Sequence, residues 1–241
     1  MKTILFIFLV ISVPVFRIGA DEKKDIKKPS FKIDFSKVVE VDGKSMPKQW
    51  KLIATLPGVP DTDFEIVKDK DLGKNVLRVS VKKSTGLLIT DRTVVVDLKK
   101  LPIMRWRWRV KSLPKGADIR KPGKDDQALA LYVGFHGWVD KKNLSYQWAT
   151  ETPKGASGKI SYAAGFVKCS WFALRNKKDN LNQWYTEERN VANDLKKAYG
   201  TLPKRFAVSV AGNGQHTGSN TVAEVDYIEF IPASMAVAKK D

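Results

Sequence analysis

The segment Ile103 to Val110, IMRWRWRV, constrains the fold more than any other stretch of the chain. Apolar and basic residues alternate along it, which is the period of an extended strand. Met104, Trp106, Trp108 and Val110 fall on one face; Arg105, Arg107 and Arg109 fall on the other. A face made of two Trp, a Met and a Val belongs in a core. The Arg row then lies on the opposite face, either wet or paired. Guanidiniums at a spacing of about 7 Å repel one another unless anions sit between them. Internal carboxylates are one source: Asp125 and Asp126 open one strand, and Glu224 and Asp226 share a face of the last one. A ligand carboxylate, sulfate or phosphate gripped by a bidentate Arg is the other.

Similar strand-sized runs recur. Asn75 to Val81, Leu129 to Trp138, Leu144 to Thr150, Gly165 to Leu174, Phe206 to Ala211 and Thr221 to Ile231 are rich in Val, Phe, Trp and Tyr, with Gly, Pro, Asn and Asp between them. One stretch has helical spacing, Glu187 to Tyr199, with Gly200 and Pro203 as stop signals. The expected fold is all-β: an antiparallel β-sandwich or jelly roll with one short crossover helix.

The N-terminus stands apart. A basic Met1-Lys2 precedes the apolar run Ile4 to Phe16, and small residues follow up to Ala20. This reads as a secretory signal peptide over 1–20, cut after Ala20. The apolar run is shorter than the roughly 20 residues needed to cross a bilayer. Residues 21–30 are charged and read as a disordered leader, 31–232 as a single β-sandwich domain, and 233–241 as a tail. The expectation is an exported protein, periplasmic or extracellular, with no membrane span after cleavage.

The chain carries 43 Lys plus Arg against 26 Asp plus Glu, a formal charge of +17. The excess is uneven. Residues 99–124 hold ten basic residues and one acid, Asp118. Such a patch attracts polyanions unless its own fold neutralises it. Export, and the lack of a recognised motif, argue against nucleic acid as the partner.

Chemistry-bearing motifs are few. The single cysteine excludes an intramolecular disulfide and a Cys-based zinc site. Cys169 alternates with Val167 and Trp171 and reads as a small buried residue. There is no P-loop, no dinucleotide fingerprint and no G-x-S-x-G elbow. Of the two histidines, His136 lies within a strand and is a candidate acid/base, with Tyr132 or a carboxylate as the alternatives, whereas His216 falls in the Gly- and Asn-rich loop 212–220 and reads as solvated. No metal or cofactor is expected; the alternative is calcium on the hard oxygens of Asp125 and Asp126, without the Asp-x-Asp-x-Asp loop that would support it. Tyr146 and Trp148 share a strand face and are candidate platforms for a sugar ring, with Trp138 and Trp184 near loops.

Five segments, in order, resemble an exported bacterial family catalogued as domain of unknown function 3047. They are Leu101 to Asp118 (LPIMRWRWRVKSLPKGAD), Lys124 to Phe135 (KDDQALALYVGF), Leu144 to Trp148 (LSYQW), Glu188 to Gly200 (ERNVANDLKKAYG) and Asn220 to Phe230 (NTVAEVDYIEF). The resemblance implies export and one all-β domain, and it brings no activity. One departure is visible: the family's segment before the last strand is Asp-rich, whereas Ala211 to Thr221 holds no acid. The chain is also similar, at fold level, to jelly-roll carbohydrate-binding modules.

These readings favour a non-catalytic binder of an anionic glycan or another envelope polyanion. The candidate ligand residues are Arg105, Arg107, Arg109, Asp125, Asp126, Tyr146, Trp148 and Asp226. The alternatives are a polysaccharide lyase or hydrolase, with the Arg row as charge neutraliser, and a structural envelope protein whose Arg row is fully self-paired. Oligomeric state is left open.

Overall fold

The computed structural model describes residues 30–53, 58–90, 94, 96–137 and 139–237. The signal-peptide and leader segments up to residue 29, Trp138, and the end of the tail lie outside the described residues. In chain order the strands are β1 (Phe31–Asp34), β2 (Val38–Val41), β3 (Lys44–Pro47), β4 (Trp50–Ile53), β5 (Asp63–Asp69), β6 (Lys74–Lys82), β7 (Thr85–Thr90), β8 (Ile103–Val110), β9 (Gln127–His136), β10 (Lys141–Trp148), β11 (Ser157–Tyr162), β12 (Val167–Arg175), β13 (Tyr185–Asn190), β14 (Ala207–Asn213) and β15 (Asn220–Ile231), with one α-helix, α1 (Val191–Tyr199).

Two sheets pack face to face as a β-sandwich. The first has the order β13-β8-β15-β6-β5, with β1 also paired to β15; the second runs β11-β12-β10-β9-β14-β7-β4. β2 and β3 form a separate hairpin. Pairing is antiparallel except between β10 and β12, which run parallel. The chain passes from β10 to the outer edge as β11, then turns back, so β12 fills the gap between them in the direction of β10.

The core lies where β8 faces β10. Met104, Trp106, Trp108 and Val110 are wholly buried, as their period predicts. Trp106 meets Tyr146 with ring centroids 5.4 Å apart, and Trp108 meets Trp148 at 5.7 Å. Trp106 and Trp108 stand edge to face. Offset and tilted contacts of this kind favour the ring quadrupoles over flat stacking. A smaller apolar cluster, Ile119, Ala149, Trp171 and Ala173, sits on the outer face of the second sheet under the loop before β9.

The helix is shorter than its pattern suggests. Glu187 to Asn190 belongs to β13, which pairs with β8 so that Glu188 lies opposite Arg105. The ion pair across that ladder holds as strand a run that would otherwise favour helix. The side chain of Asn190 then caps α1 by accepting from the Asn193 amide at 2.9 Å. Gly200 ends the helix in the left-handed region, φ 72°.

Candidate functional site

The Arg row is covered and neutralised from within. Arg105 donates to Glu188 at 2.6 Å and to Glu229 at 3.2 Å, and to the Met235 carbonyl at 2.7 Å. Arg109 is buried and donates to Glu224 (Nε to Oε2, 2.9 Å), to Asp71 at 3.0 Å and to Asp69. Arg107 Nε lies 3.0 Å from Asp226 Oδ2, an ion pair whose geometry misses a hydrogen bond. A bulge in β15 makes this last pair. Val225 lies opposite Trp108 and Tyr227 opposite Arg107, so Asp226 is the extra residue and its carboxylate reaches Arg107 and Lys74 together.

Glu224 is the hub. Wholly buried, it accepts from Arg78, Arg109 and Lys111. Burial is the largest influence on its carboxyl and would raise the pKa, but the three cations outweigh it and hold the group below its ordinary value. Asp69 behaves alike, with burial outweighed by the Leu72 amide and Arg109. Trp184 closes the outside, its ring 4.5 Å from the Arg109 guanidinium and 5.4 Å from that of Arg107. Six cations, Lys74, Arg78, Arg105, Arg107, Arg109 and Lys111, thus meet six carboxylates, Asp69, Asp71, Glu188, Glu224, Asp226 and Glu229.

Of the two readings of the Arg row, wet or paired, the structure has the paired one. Asp226 and Glu224 do neutralise it, but Asp125 and Asp126 take no part. Tyr146 and Trp148 are also corrected as sugar platforms, because both are wholly buried between the sheets. The Tyr146 hydroxyl donates to Asp194 of α1 at 2.8 Å, and Trp148 packs on Trp108 and Tyr185. Nor can the Arg row act with Tyr132: the row is on the outer face of the first sheet and Tyr132 on that of the second, with the core between. His136 is exposed at the far end of β9.

A different cluster forms on the second sheet. The loop from Lys111 to Asp126 folds back through a ladder of its own bonds. The Asp118 amide donates to the Lys124 carbonyl at 2.7 Å, the Glu151 amide to the Ala117 carbonyl at 2.8 Å, and the Thr150 hydroxyl to the Pro114 carbonyl at 2.9 Å. Asp118 takes both Arg120 and the Thr152 hydroxyl; the Arg120 bonds above all hold its carboxyl at about 2. The loop delivers Asp125 to Tyr162, whose hydroxyl donates to Oδ2 at 2.8 Å, and to His216, whose Nδ1 lies 2.8 Å from Oδ1.

Asp126, next in sequence, is buried and faces the other way. It accepts from the amides of His216 and Thr217 and from the Thr217 hydroxyl. The acid-free segment 211–221 therefore borrows its carboxylates from the start of β9. Gly214 makes the turn possible, because a Cβ there would lie 2.4 Å from the Ser219 carbonyl oxygen. With these donors bound, Asp126 is a loop anchor, and no group of three or more metal-ligating side chains is gathered among the described residues.

Beneath the cluster lies Tyr132, with Gln127 Nε2 donating to its hydroxyl at 3.3 Å. Burial, with Cys169 and Asp125 nearby, raises this phenol well above its ordinary value. Tyr162 is 42% exposed, yet its hydroxyl end is turned in, and burial beside Tyr132 and Asp125 raises it too. Neither phenol is poised to lose its proton near neutrality. The Asp125 contact to the His216 Nδ1 turns the imidazole Nε2 away from the carboxylate, and the ring is 40% exposed.

The same loop carries three exposed cations, Lys115, Lys121 and Lys124, with no ion pair among the described residues. The Lys115 amide donates to Ser219 Oγ at 2.9 Å, which ties the lysine loop to the His216 loop. Of the ten basic residues in 99–124, Arg105, Arg107, Arg109, Lys111 and Arg120 are neutralised by the fold. The Lys-rich character of the loop was visible in the sequence, but its pairing with His216 was not. That pairing joins residues 91 positions apart, and neither Tyr162 nor His216 lies in a motif.

A family model described as "Protein of unknown function (DUF3047)" matches residues 48–229. No curated protein matches the chain. Among solved structures, winged bean acidic lectin complexed with methyl-α-D-galactose is similar at 13% identity, covering 84% of this chain and 98% of that one, with a TM-score of 0.41. The xyloglucanase domain of NopAA, a type three effector from Sinorhizobium fredii, is similar at 10% identity over 83% and 94%, TM-score 0.41. The K2 cleaved adhesin domain of Lys-gingipain is similar at 13% identity over 84% and 99%, TM-score 0.40.

Proposed function

The chain belongs to the DUF3047 family, and from that premise we propose that it is an exported, non-catalytic binder of an anionic glycan or another envelope polyanion. The binding surface is the junction of the 111–126 loop with the 214–219 loop. One observation carries this reading: Lys115, Lys121 and Lys124 are exposed, with no ion pair among the described residues, on a hydrogen-bonded loop tied to the His216 loop through Ser219 and Asp125 and to Tyr162 through Asp125, while the arginines of the same basic segment are neutralised internally. A loop whose shape is fixed before binding loses less entropy on capture of a ligand. The exposed Tyr162 ring offers an apolar face to a sugar, and its fixed partners limit rearrangement. Export is supported by the signal-peptide pattern of residues 1–20.

The test is binding to a panel of acidic and neutral polysaccharides at low and high salt. The reading requires a preference for acidic ligands that weakens with salt, because exposed charges are screened. Equal binding to neutral and acidic glycans, or none to any, removes it; the latter outcome leaves a structural envelope protein.

The Asp125–His216 pair favours a second reading, a polysaccharide lyase or hydrolase. A carboxylate beside Nδ1 orients the imidazole, as acid/base sites require, with Gln215 Nε2 3.5 Å from the other ring nitrogen. Release of cleaved product by the wild type, lost in His216→Ala, supports it; binding without turnover supports the non-catalytic reading.

A further inference from the structure

At the end of the second sheet away from the Gln127 end of β9, two turns lie side by side. One is the β9–β10 turn, with Val139 73% exposed; the other leads into β12, with Phe166 65% exposed. Among the described residues before the tail they are the two most exposed large apolar residues, and Val237 in the tail is 74% exposed. The Lys141 amide donates to the Phe166 carbonyl at 2.8 Å, which joins the two turns at one edge. Neither residue packs on the core, and each could be polar at no cost to the fold.

The second turn is held in a demanding shape. Ala163, Ala164 and Gly165 have φ of 50°, 52° and 91°, a left-handed run that residues with a Cβ adopt only at a cost. The Phe166 amide closes it by donating to the Ala163 carbonyl at 3.1 Å. The result is a phenylalanine held outward on a stiff turn. Backbone strain that presents one side chain in this way points to a use for that side chain.

The charge around the tips is one-sided. Residues 136–142 and 162–168 contain Lys141, Lys142 and Lys168 and a single acid, Asp140. Asp140 lies 2.8 Å from Lys168 and 3.8 Å from Lys142, and Lys141 has no ion pair among the described residues. Apolar tips flanked by Lys141, and by Lys142 and Lys168 sharing one carboxylate, carry a net positive charge and match a surface that is apolar inside and anionic at its face, which is an anionic lipid leaflet. A protein groove would want a larger apolar area, and a soluble polyanion would have no use for Val139 and Phe166.

We propose that the Val139 and Phe166 turns dock the protein on an anionic membrane surface, with the two side chains entering the headgroup region and the lysines facing lipid phosphates. Tyr162, which precedes the Phe166 turn, links this edge to the Asp125–His216 junction, but the docking residues Val139 and Phe166 are separate from those assigned to glycan binding.

Co-sedimentation with phosphatidylcholine vesicles, with and without phosphatidylglycerol, tests this. The wild type should bind the phosphatidylglycerol vesicles at low salt, at least about tenfold more tightly than phosphatidylcholine alone, and lose them at high salt. Val139→Ser with Phe166→Ser should weaken that binding about tenfold. Lys141→Gln with Lys168→Gln should weaken it in the phosphatidylglycerol arm only. Both side chains are exposed, so an unchanged melting temperature shows that the serine variant is folded. The proposal is overturned by no binding to anionic vesicles, or by serine-variant binding equal to wild type. It is also overturned if the wild type binds no vesicle but forms a dimer that the serine substitutions break, which would make a second copy the occupant.

Discussion

Glu224 on the last strand and Arg109 on its neighbour face each other across the ladder, and the buried carboxylate takes the Arg109 Nε–H at 2.9 Å. Arg78 and Lys111 converge on the same carboxylate. A buried hub of this kind is held in place by its partners, and its removal leaves three cations facing one another. Glu224→Gln is expected to cost about 3–5 kcal/mol of unfolding free energy. Arg107→Gln, at a half-exposed position with one partner shared with Lys74, should cost about 1 kcal/mol. Denaturant midpoints of the two variants check the contrast.

Acid should weaken the fold in a defined window. The carboxyls of Asp118, Glu224 and Asp69 are all lower in the folded chain than in the unfolded one. A group lowered by folding stabilises above its unfolded pKa and loses that contribution as pH falls through its folded pKa. For Asp118 the window runs from 3.8 to about 2. Urea titrations across it should show falling stability, and Asp118→Asn should flatten that fall while lowering stability at neutral pH.

Trp148 separates core from ligand surface. Its ring is wholly buried against Trp108 and Tyr185. Trp148→Ala should destabilise by about 3–5 kcal/mol. The protein that remains folded should bind glycan as the wild type does. A variant of normal stability and lost binding would place the ring at a ligand face.

Cys169 should be inert in the native state. Burial pushes its thiol up to about 12, so almost no thiolate exists near neutrality. A thiol reagent added at neutral pH should label it only after denaturant is added, at the rate of unfolding.

The core was legible in the sequence because alternation carries it: the period of Ile103 to Val110 placed both tryptophans inward. The runs at 75–81, 129–138 and 221–231 lie on β6, β9 and β15, within a residue or two at most ends. Glu187 to Asn190 was not legible, because its strand state depends on a partner, Arg105, more than eighty residues away. β5 and β11 escaped for a related reason: Asp, Glu and Lys interrupt the first, and Ser, Gly and Lys the second, so each gains its order from the ladder. At the site, Asp125 and Asp126 stood out as a pair, but alternation alone could not say that one would seek Tyr162 and His216 and the other the amides of a glycine-rich loop. Tyr146 and Trp148 share a face as expected, and only sheet packing decides that it is the inner one.

The proposed polyanion surface is the lysine loop, not the self-paired arginine row. Titration of an acidic polysaccharide into three proteins tests it most directly: the wild type, the Lys115→Gln, Lys121→Gln, Lys124→Gln triple variant, and Arg107→Gln. Three exposed charges of ordinary strength make the expected loss in the triple variant roughly tenfold or more, with Arg107→Gln close to wild type. The opposite pattern, full binding by the triple variant and loss in a folded Arg107→Gln, would contradict the claim and return the ligand to the arginine row.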